Sequence, residues 1–176
     1  METAKLEKFK KIVEKIKGSA GVTYVIISHI DPDSLGAAHG LAYVLATLGV
    51  ERIKILFSGE PTDEQNLAIM FKYDLFNKME PIGKHFASFT VADNFILVDS
   101  SLPDDARLGP AKGRFTPIVT IDHHLNERVE ETDDNFVWIE NIGSCATMII
   151  ELIQALGFFT EQHFRNNDGL LPILLT

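Results

Sequence analysis

The sequence has a single cysteine, Cys145, so no disulfide can form within it, and a reducing cytoplasm is the expected location. It has no apolar stretch approaching the roughly 18 residues of a membrane helix. Residues 1–17 are dense in Lys and Glu and lack the apolar centre of a signal peptide. Basic residues are few: 16 Lys and Arg stand against 25 Asp and Glu, for a net charge of −9. Long nucleic acid needs a basic surface, so that balance argues against a duplex-binding protein. Internal repeats, low-complexity segments and domain linkers are also missing. What remains is an ordinary globular composition, 45% hydrophobic and 23% charged, in 176 residues. That excludes a disordered tail, a collagen-like fibre and a small disulfide scaffold. The acidity takes on another meaning if carboxylates gather around metal ions, which partly neutralise them.

Residues 4–17 place Leu6, Phe9, Ile12, Val13 and Ile16 on one helical face, with Gly18 and Gly21 bracketing the end. Residues 22–28 (VTYVIIS) are β-branched and apolar on both faces, the pattern of a buried parallel strand. A short polar stretch leads into a helix over 35–48, capped by Ser34 and ended by Gly49. Residues 52–57 read as a strand, and Asp63 caps a helix over 64–78. Further strands fall at 95–98, 117–121 and Phe136–Ile139, the last nearer an edge. Gly143 and Ser144 open a helix that ends near Gly157. Strands alternating with helices predict an α/β fold, a mostly parallel sheet with helices on both faces, with 1–176 as one domain. Near the end, Thr160 could cap a last helix, which Gly169 and Pro172 interrupt. Residues 170–175 are apolar and resemble the beginning of another buried strand. The expectation is a chain cut short there, or one whose sheet edge is covered by a partner, such as a second copy in a homodimer.

Ligands in open α/β sheets bind at the carboxyl ends of the strands. Three such ends carry acid and imidazole. After strand 22–28 comes His29-Ile30-Asp31-Pro32-Asp33. Alternate residues of an extended segment share a side, so His29, Asp31 and Asp33 point one way and Ile30 and Pro32 the other. Pro32 fixes its own φ and biases Asp31 toward extended geometry. Asp99 ends the FILV strand and precedes Ser100 and Ser101. Asp122-His123-His124 ends the PIVTI strand. A single aspartate at a strand end is ordinarily a cap or turn former, but three clusters at successive ends are a different matter. Left alone, carboxylates so close raise one another's pKa. Divalent cations remove that penalty, and two ions about 3.5–4 Å apart, bridged by a carboxylate, are the arrangement of two-metal hydrolysis.

With these residues in place, the sequence resembles the DHH phosphoesterase superfamily, which includes RecJ exonucleases, nanoRNases, cyclic dinucleotide phosphodiesterases and manganese-dependent pyrophosphatases. Asp122-His123-His124 is similar to its name-giving motif. His29 to Asp33 with Ser34-Leu35-Gly36 resembles its first motif, and Val98-Asp99-Ser100-Ser101 its second. Trp138-Ile139-Glu140 with Gly143-Ser144-Cys145-Ala146 resembles the strand-to-helix segment after the DHH triplet. The likeness covers roughly residues 22–157. It implies that His29 and Asp31 hold one metal, that Asp33 and His123 hold a second, and that Asp99 bridges them. It also implies that Asp122 orients a ring from behind, that His124 faces the substrate phosphate, and that the amides at Ser144 receive an anion. Two ions are implied, Mn²⁺ or Mg²⁺, and the mixed His/Asp set suits Mn²⁺ better. The family's fourth motif, an aspartate after a further strand, and its smaller C-terminal domain are not found. Asp168 precedes that strand rather than following it, so metal site two is expected to lack a ligand. Ser34 stands where the family commonly has Gly, and Asn126 falls one place too early for a role.

The expected function is therefore metal-dependent hydrolysis of a small phosphoester: a short oligonucleotide, a nucleotide bisphosphate or a cyclic dinucleotide. No long duplex and no membrane is expected as a partner. A manganese-dependent pyrophosphatase is the alternative within the same chemistry. Its first motif is spaced His-x-x-x-Asp-x-Asp, whereas this chain has His-x-Asp-x-Asp. The alternative of another class is a non-catalytic metal- or nucleotide-binding module. Lys112 and Arg114 read as solvated loop charges, with a phosphate contact as the other option. His39, His85 and His163 read as helix-face residues, and Cys145 and Trp138 as packing.

Overall fold

A computed structural model describes residues 1–125 and 129–158. The expected helix after Thr160, the strand at 170–175, and Asn126, His163 and Asp168 lie outside the described residues. In chain order the elements are α1 (Thr3–Lys17), β1 (Thr23–Ile27), α2 (Pro32–Thr47), β2 (Ile53–Phe57), α3 (Glu64–Lys72), β3 (Met79–Pro81), β4 (Asn94–Val98), β5 (Val119–Asp122), β6 (Phe136–Ile139) and α4 (Cys145–Ala155). The strands form one sheet in the order β3-β2-β1-β4-β5-β6, and every neighbouring pair is parallel. Strand order reverses between β1 and β4. The connections leaving those two neighbours run to opposite sides, and the crevice they open at the carboxyl ends is where such sheets bind ligands.

All five residues of β1 and of β4 are buried. Alternation along these strands divides them between two cores. Val25, Ile27, Ile96 and Val98 pack with Phe9 and Ile12 of α1, Leu41 and Leu45 of α2, Met70 of α3 and Leu152 of α4. The Phe9 ring meets Phe136 of β6 edge-on, with centroids 5.3 Å apart. Tyr24, Ile26, Phe95 and Leu97 face the other way, onto Ile82, Leu108 and Phe115. The layering is asymmetric. Among the described residues the four α-helices feed the first core, whereas short 3₁₀ helices, including Ile82–Lys84 and Ala106–Ala111, cover the second face. Between β4 and β5 the cause is local: Gly109 sits at φ 55°, ψ −125°, and Pro110 follows it, which no α-helix accommodates. Among the described residues no helix is long and apolar enough to cross a membrane.

Two boundaries differ from the sequence reading. The cap of α2 is Asp31, not Ser34. Asp31 accepts the Ser34 amide at 2.8 Å, the Ser34 hydroxyl accepts the Asp31 amide at 3.1 Å, and Pro32 occupies the first helical position. This reciprocal pair is a capping box. The helix expected over 64–78 ends at Lys72, because Asp74 adopts a left-handed φ of 55°. The residues beyond it include β3, a short edge strand ending at Pro81, where a missing N–H costs no ladder bond.

Gly21, between α1 and β1, touches the loop before β4. A Cβ at this position would lie 1.9 Å from the Ala92 carbonyl oxygen. Gly21→Ala is therefore expected to destabilise the fold by about 1–3 kcal/mol, read as a lower urea midpoint. An unchanged midpoint would mean that this approach is not tight.

Candidate functional site

The polar residues converge where the topology opens the crevice. The chain turns sharply out of β4 at Asp99, whose φ of 56° is left-handed. Aspartate is among the few residues that tolerate this conformation. Asp99 is only 6% exposed. Its amide donates to the Ile121 carbonyl at 2.9 Å, which ties the end of β4 to β5. Pro32 and Asp33 open α2, and the Asp33 carboxylate lies against the first turn of α4. It accepts the Cys145 amide at 2.8 Å and the Ala146 amide at 2.6 Å. A carboxylate there satisfies two orphan amides and complements the helix dipole.

His123 joins these two acids. Its Nδ1 lies 3.2 Å from the Ile142 carbonyl, which can only accept, so Nδ1 is the protonated nitrogen of the neutral ring. Nε2 is then a lone pair. It faces Asp99 Oδ1 at 3.3 Å and Asp33 Oδ2 at 3.4 Å. Asp99 Oδ1 is buried and accepts no hydrogen bond among the described residues. Three acceptors thus face one another with no donor between them. Only a shared proton or a cation relieves such an arrangement. One imidazole nitrogen with carboxylate oxygens is a donor set that divalent transition metals accept, so the residues present fit a metal ion.

Asp122 and His124 form a second unit. Asp122 is buried, and its Oδ1 accepts both the His124 amide at 3.1 Å and His124 Nδ1 at 2.8 Å. The His124 ring is 62% exposed. Its Nδ1 also lies 3.9 Å from Asp99 Oδ1. Asp99, His123 and His124 accordingly offer ligand atoms within 4.8 Å of one another. Geometry favours His123 over His124 as a ligand, because the free Nε2 of His123 faces both carboxylates, whereas the His124 nitrogen nearest Asp99 is Nδ1, already committed to Asp122.

Of the sequence-picked residues, the structure brings together Asp33, Asp99, Asp122, His123 and His124. Asp31 is close enough for its charge to act on Asp99. One of its oxygens is spent on the helix cap. His29 is exposed at the end of β1, and its ring makes no described contact with the cluster. Ser144 serves differently from the expectation. Its hydroxyl caps α4 by accepting the Thr147 amide at 3.2 Å. The next two amides of that turn, those of Cys145 and Ala146, are occupied by Asp33. Arg114 lines a cleft with Asp93 and Thr116 at the amino ends of the strands, away from the cluster. His39 is half-buried in α2, and desolvation of its ring pulls its pKa down to about 4. His85 pairs with Glu80 at 2.9 Å. Two contributors escape a sequence reading. The Ile142 carbonyl orients His123, and a backbone group carries no sequence signature. The amides that hold Asp33 lie more than a hundred positions away.

Residues 23–175 match the family described as DHH family, N-terminal domain. The fold is similar to the crystal structure of an exopolyphosphatase-related protein from Bacteroides fragilis, with a TM-score of 0.60 and 15% identity. The alignment covers 99% of this chain and 56% of that protein, so the chain spans little more than half of its neighbour's length. No curated protein matches the sequence.

Burial pushes the Asp99 carboxyl from its usual 3.8 up to about 8, and the charges of Asp33 and Asp31 add to the rise. In the absence of metal the folded state keeps this proton and the unfolded state releases it. The associated stability is complete below about pH 4 and is lost as the pH rises toward 8. In chelator, the melting temperature should therefore fall across that window, and Asp99→Asn should flatten the fall. Equal slopes in the two proteins would count against the assignment.

Proposed function

The chain belongs to the DHH family by its N-terminal domain, and from that premise we propose that it is a metal-dependent phosphoesterase acting on small phosphoesters. The observation that carries the reading is the lone pair of His123 Nε2 facing two carboxylates, one of them buried and unbonded. Asp33, Asp99 and His123 would hold one cation, and Asp31 and His29, sharing Asp99 with that group, would hold the other. Mn²⁺ is the favoured ion and Mg²⁺ the substitute. Bound divalent cations would polarise the phosphoryl oxygens and lower the pKa of an attacking water.

The remaining steps belong to the chain's own residues. Asp122 fixes the His124 ring through Nδ1 and so aims Nε2 outward. When that ring is protonated, its Nε2–H can donate to the phosphoryl oxygen on which charge develops, while Asp122 stabilises the imidazolium. The Ile142 carbonyl keeps His123 in the tautomer whose Nε2 is a ligand. Asp33, held by two amides, cannot swing away when substrate enters.

The acidic balance of the chain favours small substrates over a long duplex. Short oligonucleotides, nucleotide bisphosphates and cyclic dinucleotides are the leading set. The description of the structural neighbour as exopolyphosphatase-related adds polyphosphate to the assay.

The deciding experiment incubates the chain with Mn²⁺ and each of these substrates, with pyrophosphate as a further arm. Release of phosphate or nucleotide, lost on Asp99→Asn or His123→Ala, is the expected outcome. Turnover of pyrophosphate alone would make the chain a pyrophosphatase. Mn²⁺ binding without any turnover would make it a binding module, and absence of Mn²⁺ binding would overturn the metal site itself. His124→Gln should lower kcat by roughly a hundredfold or more while Mn²⁺ affinity stays at the wild-type value. A matching fall in Mn²⁺ affinity would make His124 a ligand instead.

A further inference from the structure

A cluster of acids is a poor host for an anion unless cationic donors stand at its rim. The chain beyond β4 supplies one. Arg107 lies in the 3₁₀ helix Ala106–Ala111, on the connection that leaves the carboxyl end of β4 at Asp99. Leu108 and Ala111 anchor this helix in the second core. The Arg107 carbonyl accepts the hydroxyl of Ser58, the residue directly after β2. Since β1 lies between β2 and β4, the segment is pinned across the carboxyl ends that form the crevice.

The guanidinium itself is held in a fixed plane. Asp105 takes Nε at 3.0 Å and Nη2 at 2.7 Å. The same carboxylate accepts the Arg107 amide at 2.8 Å, so fork and backbone share one anchor. Nη1 and the second N–H of Nη2 have no hydrogen-bond partner among the described residues. The side chain is half exposed. Asp105 foremost, and then Asp99 and Asp122, hold its proton more tightly. Arg107 nevertheless makes no ion pair within 4.0 Å with either Asp99 or Asp122. Its charge is thus felt across a gap, not spent in contact with the cluster.

We propose that Arg107 is a substrate-binding residue of this site, offering the free edge of its guanidinium to a phosphoryl oxygen seated over the carboxylate cluster. The proposal rests on the phosphoesterase reading and adds a part to it. Asp105 is the positioning residue. By fixing the plane it lowers the entropy cost of donating two N–H groups to one phosphate, a geometry that lysine cannot reproduce. The competing account is that the Asp105–Arg107 pair only stabilises its own turn.

The test titrates Mn²⁺, and then inorganic phosphate in the presence of saturating Mn²⁺, into wild type, Arg107→Ala, Arg107→Lys and Asp105→Asn by calorimetry. Arg107→Ala should weaken phosphate binding about tenfold or more, with Mn²⁺ affinity equal to or above that of wild type, because a nearby positive charge has been removed. Arg107→Lys should recover part of the loss, and Asp105→Asn should cost several-fold. A turn that matters only for folding would instead lower Mn²⁺ affinity and melting temperature together, without rescue by lysine. That pattern overturns the proposal, as does unchanged phosphate binding in Arg107→Ala or no phosphate binding by Mn²⁺-loaded wild type; all three leave the metal site standing. Wild type that binds no Mn²⁺ overturns the phosphoesterase reading, and the Arg107 proposal with it.

Discussion

The architecture of the site depends on the contact between the Asp33 carboxylate and the first two amides of α4. The two sides of that contact lie 112 and 113 positions apart in the chain. They also come from opposite sides of the strand-order reversal, since α2 follows β1 and α4 follows β6. A parallel sheet leaves its carboxyl-end loops free to splay, because ladder hydrogen bonds stop where the strands stop. Here a charge-assisted pair of hydrogen bonds closes them. The helix dipole strengthens the contact, and the contact supplies the helix with donors' partners it would otherwise need from water. The same carboxylate then presents an oxygen to His123. One acid serves both as a structural clamp and as a wall of the site.

A second constraint is electrostatic. Asp99 is buried beside other carboxylates, and its Oδ1 has no donor among the described residues. Native proteins rarely leave a buried polar atom unpaired, since doing so costs most of its desolvation energy. The backbone at Asp99 adds to the cost by adopting a left-handed turn. Strain and an unmet acceptor at one residue are typical of a position shaped for a ligand rather than for stability. The surrounding packing carries that burden: β4 is buried along its whole length and sits at the centre of both cores.

Much of this is legible in the residues alone. The runs VTYVIIS, FILV and PIVTI declare buried strands because both faces are apolar, and the acids at their ends follow from chain order. The alternation read across 29–33 holds only as far as Asp31: Ile30 is buried, but Pro32 and Asp33 already belong to α2, so the helix rather than extended spacing places Asp33. What escapes has identifiable causes. β3 is a three-residue strand with a charge at its middle, so it shows no period, and Pro81 disguises it. Ser34 resembles a cap because Ser often is one. The true cap lies three residues earlier because Pro32 can start a helix but cannot be preceded by a helical residue. The amides of Cys145 and Ala146 go to a partner more than a hundred positions away, a long-range pairing that no local pattern announces. Arg107 carries a faint signal, an aspartate two residues before an arginine, which becomes meaningful only once the turn is seen to lie over the crevice.

The left-handed turn at Asp99 has an evolutionary corollary. The residues that accept this backbone with least strain are glycine, asparagine and aspartate. Asparagine would keep the outline of the turn while deleting the negative charge that a cation requires. Descendants of this fold therefore have a short path to a silent copy that keeps its shape, and a sequence survey for lapsed members should look first at this one position.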